Sequence, residues 1–249
     1  DGQPQSLTVV QGQNATFSVN ATGTAPLTYQ WRFAGVNISG ATNTTVTLTN
    51  VLASQAGLYS VVISNSGGST TSANATLTVL LPPTIIVQPV SQTLTAGATL
   101  NLSVTATGSP TLTYLWRLNG TTIPGATAAT LTLLNVQKSL EGNYTVVVSN
   151  PYGTVTSAVA VVTIQSPPAI ADNGQPQPQT VIQGNTATFS VTATGDAPLS
   201  YQWRFGGVNI VGATANPLVL TGVQTNQAGN YSVVVSNPFG SVTSSNALL

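Results

Sequence analysis

The chain has 249 residues, and only eight carry charge: Arg32, Arg117, Arg204 and Lys138 against Asp1, Asp172, Asp196 and Glu141. A neutral surface with so few cations cannot meet nucleic-acid phosphates, which need clustered Lys and Arg, and it offers no steering field. No apolar run approaches the length of a membrane-spanning helix, and 41% hydrophobic content in a clear periodic arrangement excludes a disordered chain.

From the N-terminus, short alternating runs follow one another. Ala15, Phe17 and Val19 alternate with Thr16, Ser18 and Asn20, and Tyr29, Trp31 and Phe33 alternate with Gln30 and Arg32. Thr44–Thr49 and Leu58–Ser64 continue the habit. Period-two alternation predicts strands with one buried and one wet face. Thr22-Gly23, Gly40-Ala41-Thr42 and Asn65-Ser66-Gly67-Gly68 supply the turns between them. No segment shows a useful helical period.

The same unit then recurs. Trp31, Trp116 and Trp203 lie 85 and 87 residues apart, and Tyr59, Tyr144 and Tyr231 each follow their Trp by 28. The two extra residues fall in the Pro- and Gln-rich stretch Pro168–Thr180, where a linker absorbs them. The expectation is an all-β chain of three tandem antiparallel sandwiches, 1–81, 82–166 and 167–249.

The motifs Tyr29-Gln30-Trp31-Arg32, Ile38-Ser39-Gly40-Ala41-Thr42, Leu48-Thr49-Asn50-Val51 and Gly57-Leu58-Tyr59-Ser60-Val61, repeated from Tyr114 and from Tyr201, carry a resemblance. The units resemble immunoglobulin-like domains of the intermediate kind, in the disulfide-free form found in tandem in large secreted bacterial proteins. That resemblance makes Trp31, Trp116 and Trp203 core residues and Tyr59, Tyr144 and Tyr231 tyrosine corners. It puts the cysteines of disulfide-bonded relatives at Val19 and Val61, Val104 and Val146, and Val191 and Val233. It also expects an Asp four residues before each corner Tyr, where Gln55, Leu140 and Gln227 stand instead.

Candidate sites are few. With no histidine and one lysine, a hydroxyl nucleophile lacks its base, and four acids cannot furnish a matched acid and base in each repeat. No catalytic residue is expected. Neither cysteine nor histidine is present for zinc, and carboxylates are too sparse for calcium, so no metal or cofactor is expected. Lys138, placed in a turn, could form a lysine–asparagine staple in the middle repeat at most, and a solvated side chain is the simpler reading. Each Trp shares a face with a Tyr two residues before it and a Phe or Leu two residues after it, which favours core over a sugar-stacking platform.

Tyr152 and Phe239 sit in Asn150-Pro151-Tyr152-Gly153 and Asn237-Pro238-Phe239-Gly240, expected hairpin tips that in the resembled fold face the preceding domain. They are candidates for an interdomain wedge or for self-association. An aromatic folded back on its own hairpin is the competing reading. Nine Asn-x-Ser/Thr triplets, at Asn14, Asn20, Asn37, Asn43, Asn74, Asn101, Asn119, Asn143 and Asn230, are glycosylation candidates, or ordinary polar strand surface.

The function expected is that of a secreted or cell-surface structural protein: a rod, or the subunit of a filament or surface array built head to tail, roughly 100 Å for three repeats. Partners would be further copies of itself or a glycan or cell-surface ligand, with no nucleic acid and no membrane insertion. The first repeat lacks an apolar lead-in like Thr84–Val87 or Ala169–Ala171, and the third stops short of the equivalent of Thr78. Unpaired edges there would admit strand addition, or the termini are simply trimmed. An adhesin or a carbohydrate-binding spacer is the alternative.

Overall fold

The structure, a computed structural model, describes residues 2–249. Backbone contacts gather it into two compact units. One takes the chain up to Pro89, with Ser103–Thr130 and Thr145–Val159; the other takes Val90–Leu102, Leu131–Tyr144 and Ala160–Leu249. The first repeat lies wholly in the first unit and the third wholly in the second, while the middle repeat contributes residues to both.

In the first unit, strand Thr28–Phe33 pairs antiparallel with Gly57–Asn65, placing Trp31 opposite Val61. Gly57–Asn65 also carries Ala75–Leu80 and Gly68–Thr71, and Leu7–Val10 runs parallel to Ala75–Leu80 with Leu7 opposite Leu77. Across from this sheet, Ala15–Ser18 pairs with Thr45–Leu48. The alternation explains the layers: Ala15 and Phe17 are buried, while Thr16 and Ser18 are exposed. On the wet face the Thr16 and Thr47 hydroxyls meet at 2.9 Å.

Between the sheets lies an aromatic cluster. Phe17 stacks on Tyr59 at 4.8 Å and tilts against Trp31 at 6.2 Å, and Phe33 closes on Tyr59 at 5.0 Å. The Trp31 Nε1–H donates to the Asn43 carbonyl at 2.9 Å. Ala34 and Gly35, at φ 48° and 82°, make the two-residue turn from Thr28–Phe33 into Val36–Asn37. Positive φ at both positions matches the right-handed twist of the flanking strands.

In the second unit the third repeat rebuilds this arrangement. Ser200–Phe205 pairs with Asn230–Asn237, Trp203 opposite Val233, and Ala187–Phe189 pairs with Leu218–Leu220. Phe189 stacks on Tyr231 at 4.9 Å, and the Trp203 Nε1–H donates to the Ala215 carbonyl at 2.9 Å. Ala247–Leu248 pairs with Asn230–Asn237, and the Gln179 N–H donates to the Leu248 carbonyl at 2.8 Å.

The middle repeat follows the same pattern with fewer rings. In the first unit, Thr84–Val87 pairs antiparallel with Thr105–Thr107, and the Trp116 Nε1–H donates to the Ala128 carbonyl at 3.0 Å. In the second, Gln92–Thr95 runs parallel to Ala160–Gln165. Leu102 and Leu118 stand where the other repeats have Phe17 and Phe33, or Phe189 and Phe205, and Trp116 and Tyr144 are each fully buried.

Each corner tyrosine hydroxyl donates to the backbone carbonyl four residues back: Tyr59 to Gln55 at 2.9 Å, Tyr144 to Leu140 at 2.7 Å and Tyr231 to Gln227 at 2.9 Å. The bond uses a main-chain acceptor, so the missing Asp side chain is immaterial to it. Gln55 and Gln227 use their side chains otherwise, accepting from the N–H of Leu52 and Gln224. Burial pushes all three hydroxyls above the ordinary tyrosine value. The valines at the cysteine positions are buried as well, none more than 8% exposed. Val19 and Val61 belong to one core, as do Val191 and Val233.

Two outcomes follow from this packing. Val104→Ala should cost about 1–3 kcal/mol in denaturant unfolding, through the cavity left by two methyl groups; a loss near zero would place Val104 outside the core. The folded tyrosines ionise above their unfolded value of 10.0. Their contribution to stability is therefore complete below pH 10 and declines as pH rises through the folded values. Melting temperature should fall on the alkaline side of pH 10, in step with phenolate absorbance.

Candidate functional site

Two clusters of hydrogen bonds tie a hairpin tip to the segment that enters the same repeat. At the first, Asn150 ends strand Gly142–Asn150. Its Oδ1 accepts from the Tyr152 N–H at 2.9 Å, closing the tip. Its Nδ2 donates to the carbonyls of Leu81 at 2.8 Å and Ser109 at 2.9 Å. Ser109 binds Leu81 twice more, its Oγ accepting from the Leu81 N–H and its own N–H donating to the Leu81 carbonyl. The tip rests directly on the linker proline: a Cβ at Gly153 would come within 2.9 Å of the Pro82 Cβ. Only glycine permits that approach.

The second cluster repeats the plan. The Asn237 Nδ2 donates to Ser166 at 2.8 Å and Asp196 at 2.9 Å, and its Oδ1 accepts from the Phe239 N–H. Asp196 takes the place of Ser109. Its N–H donates to the Ser166 carbonyl, and its Oδ2 accepts from the Ser166 N–H at 3.0 Å.

Lys138 joins this second cluster, and the expectation of a merely solvated turn lysine is corrected. It opens the short 3-10 turn Lys138–Leu140. Its Nζ donates to the Ile164 carbonyl at 2.8 Å and pairs with Glu141 at 3.1 Å and Asp196 at 3.2 Å. The Glu141 Oε2 also accepts from the Ile164 N–H at 2.7 Å. That N–H first, and the Lys138 ammonium second, hold the Glu141 carboxyl below its ordinary value. The Ser166 N–H, with Lys138 behind it, does the same for Asp196. Lys138 is raised in turn, chiefly by Glu141.

The sequence-named residues fall around these clusters. Tyr152 is half-buried, and Phe239 is 37% exposed. Both contribute a backbone N–H to the tip, and the neighbouring Asn makes the side-chain bonds to the linker. That role was missed from sequence, although the signal was present: Asn65, Asn150 and Asn237 each follow their corner Tyr by six residues. All three tryptophans are fully buried. All nine triplet asparagines are exposed. Three of them also accept bonds at Oδ1: Asn14 from the Asn50 N–H, Asn37 from the Arg32 Nε–H and Asn101 from the Thr132 hydroxyl. Thr122 stands where Asn37 and Asn209 stand in the other repeats, and there the Arg117 Nε is buried with no partner among the described residues.

The model of the immunoglobulin domain matches residues 1–65, 82–150 and 167–237. The chain belongs to the immunoglobulin domain family. It is 27% identical to mouse hemicentin-1 over 96% of its own length and 5% of that protein. It is 29% identical to rat Roundabout homolog 1 over 97% of its length and 16% of that protein. The chain therefore spans a small part of these curated relatives. Among solved structures, the titin I-band fragment I67-I69 superposes with a TM-score of 0.77 at 23% identity, covering 98% of this chain and 95% of the fragment. That match shows three tandem immunoglobulin domains.

Asn237→Ala removes the bonds to the Ser166 and Asp196 carbonyls and leaves each with one donor fewer. A destabilisation of the third repeat by about 1–3 kcal/mol is expected, with faster hydrogen exchange at the Phe239 amide. Unchanged exchange there would mean that water replaces the asparagine without cost.

Proposed function

We propose that this chain is a spacing segment of an extracellular structural protein, a rod or filament subunit in which tandem immunoglobulin domains set distance and direction and perform no catalysis. The observation that carries the reading is the repeated closure of hairpin tip on linker, Asn150 on Leu81 and Asn237 on Ser166. The same closure at both positions suits a chain that holds its linkers rather than letting them swing. Domain limits at 1–81, 82–166 and 167–249 belong to this reading, with Pro82-Pro83 and Pro167-Pro168 stiffening the connections.

The surface supports an extracellular role. Nine exposed acceptor triplets fit a face presented to glycosylating enzymes, and a low-charge surface lets copies associate without repulsion. Among the described residues no helix is long and apolar enough to cross a membrane. Self-association through the repeats, with Tyr152 and Phe239 at the tips, is the partner we assign.

Analytical ultracentrifugation and electron microscopy of the full native protein test this. Extended particles or head-to-tail assemblies are the expected result. A compact monomer that makes no contact with its copies would overturn the filament reading, and specific capture on a glycan array would favour a carbohydrate-binding spacer instead.

A further inference from the structure

The two linker clusters share a backbone plan and differ in charge. Where Ser109 offers a hydroxyl to the Leu81 N–H, Asp196 offers a carboxylate to the Ser166 N–H. The first repeat has Ala53 and Ala56 at the places of Lys138 and Glu141. Three of the eight charged residues in the whole chain thus gather at the second cluster. The Lys138 ammonium is held from its own repeat by the Ile164 carbonyl and Glu141, and it reaches Asp196, which lies beyond the Pro167-Pro168 linker.

We propose that this contact is an ionic latch: Lys138 draws Asp196 onto the second linker, so that this joint is closed at low ionic strength and loosened by salt, while the joint at Leu81, closed by a hydroxyl, is indifferent to salt. The inference concerns one joint within a single chain and stands apart from the filament reading. Its physical basis is the mixture of signs. Glu141 and Asp196 are both acids, and the ammonium between them is what makes the set attractive. Without Lys138 two carboxylates face the same linker and repel. Each effect is screened as the Debye length falls from about 30 Å at 0.01 M to about 3 Å at 1 M salt. Half the Lys138 side chain is exposed, so the latch is a bias rather than a lock, worth roughly two- to five-fold in the ratio of closed to open joints.

The sign of the salt response is the test. The chain contains no cysteine, so Leu134→Cys and Val211→Cys, at positions 74% and 99% exposed, accept a unique pair of spin labels on either side of the second joint. Double electron–electron resonance at 10 mM and at 1 M sodium chloride then reads the width of the distance distribution. Salt should broaden it in the otherwise native chain. It should leave Asp196→Asn unmoved, because the amide keeps an oxygen for the Ser166 N–H but has no charge. It should narrow Lys138→Met, whose two acids repel until they are screened. Labels at Val36 and Thr121, across the first joint, should show no salt response. Circular dichroism confirms that each variant is folded. Equal salt responses at the two joints, or a native response that survives in Asp196→Asn, would overturn the latch whatever the assembly state of the protein.

Discussion

A tryptophan with no exposed surface has to be enclosed on every side, and its one N–H has to find an acceptor inside the enclosure. Each repeat meets that demand in the same way. The indole lies between the two sheets opposite a valine of the neighbouring strand, seen at Trp31 and Val61 and at Trp203 and Val233. Its N–H donates to a backbone carbonyl twelve residues on. The loop that carries this carbonyl is thereby drawn against the core. The corner tyrosine closes the other end by donating to the carbonyl four residues back. Strand positions, loop paths and the buried valines all follow from housing these two rings.

This enclosure explains how a sandwich of about 85 residues does without a disulfide. Valine pairs occupy the middle of the core, and burial of each such side chain contributes about 1.5–3 kcal/mol. Two repeats add a phenylalanine stacked on the corner tyrosine and another tilted against it. The middle repeat has leucines in both places. It differs again at Arg117, whose Nε lacks the asparagine partner that Arg32 and Arg204 enjoy. The three copies therefore share an architecture while distributing its stabilising contacts unequally.

Outside the cores, sparse charge gives the remaining ion pairs unusual weight. A single lysine in a surface crowded with charges would be one of many. Here Lys138 meets two of the chain's four acids in one place, and Asp196 is at the same time bound twice to the linker backbone. The hydroxyl and amide surface elsewhere makes local hydrogen bonds, such as Thr16 to Thr47, that give an approaching partner little electrostatic direction. Family membership supplies the fold.

Much of this was legible in the residues alone. Alternation announced the strands, the recurrence of Trp and Tyr counted the repeats, and valines at the cysteine positions implied a core without bridges. These signals are local or strictly periodic, and burial of one face dictates them wherever the chain folds. The linker bonds were not legible, because Asn150 and Leu81, or Lys138 and Asp196, are far apart in sequence and meet only when separate turns are brought together. A lysine in a turn reads as solvated until the fold puts an acid 3.2 Å away. An asparagine at a hairpin tip reads as turn chemistry, which it does perform toward Tyr152, and only the tertiary structure shows that its free amide holds the linker. Sequence determined what each repeat buries; the three-dimensional path of the chain decided which polar groups end up within hydrogen-bonding reach.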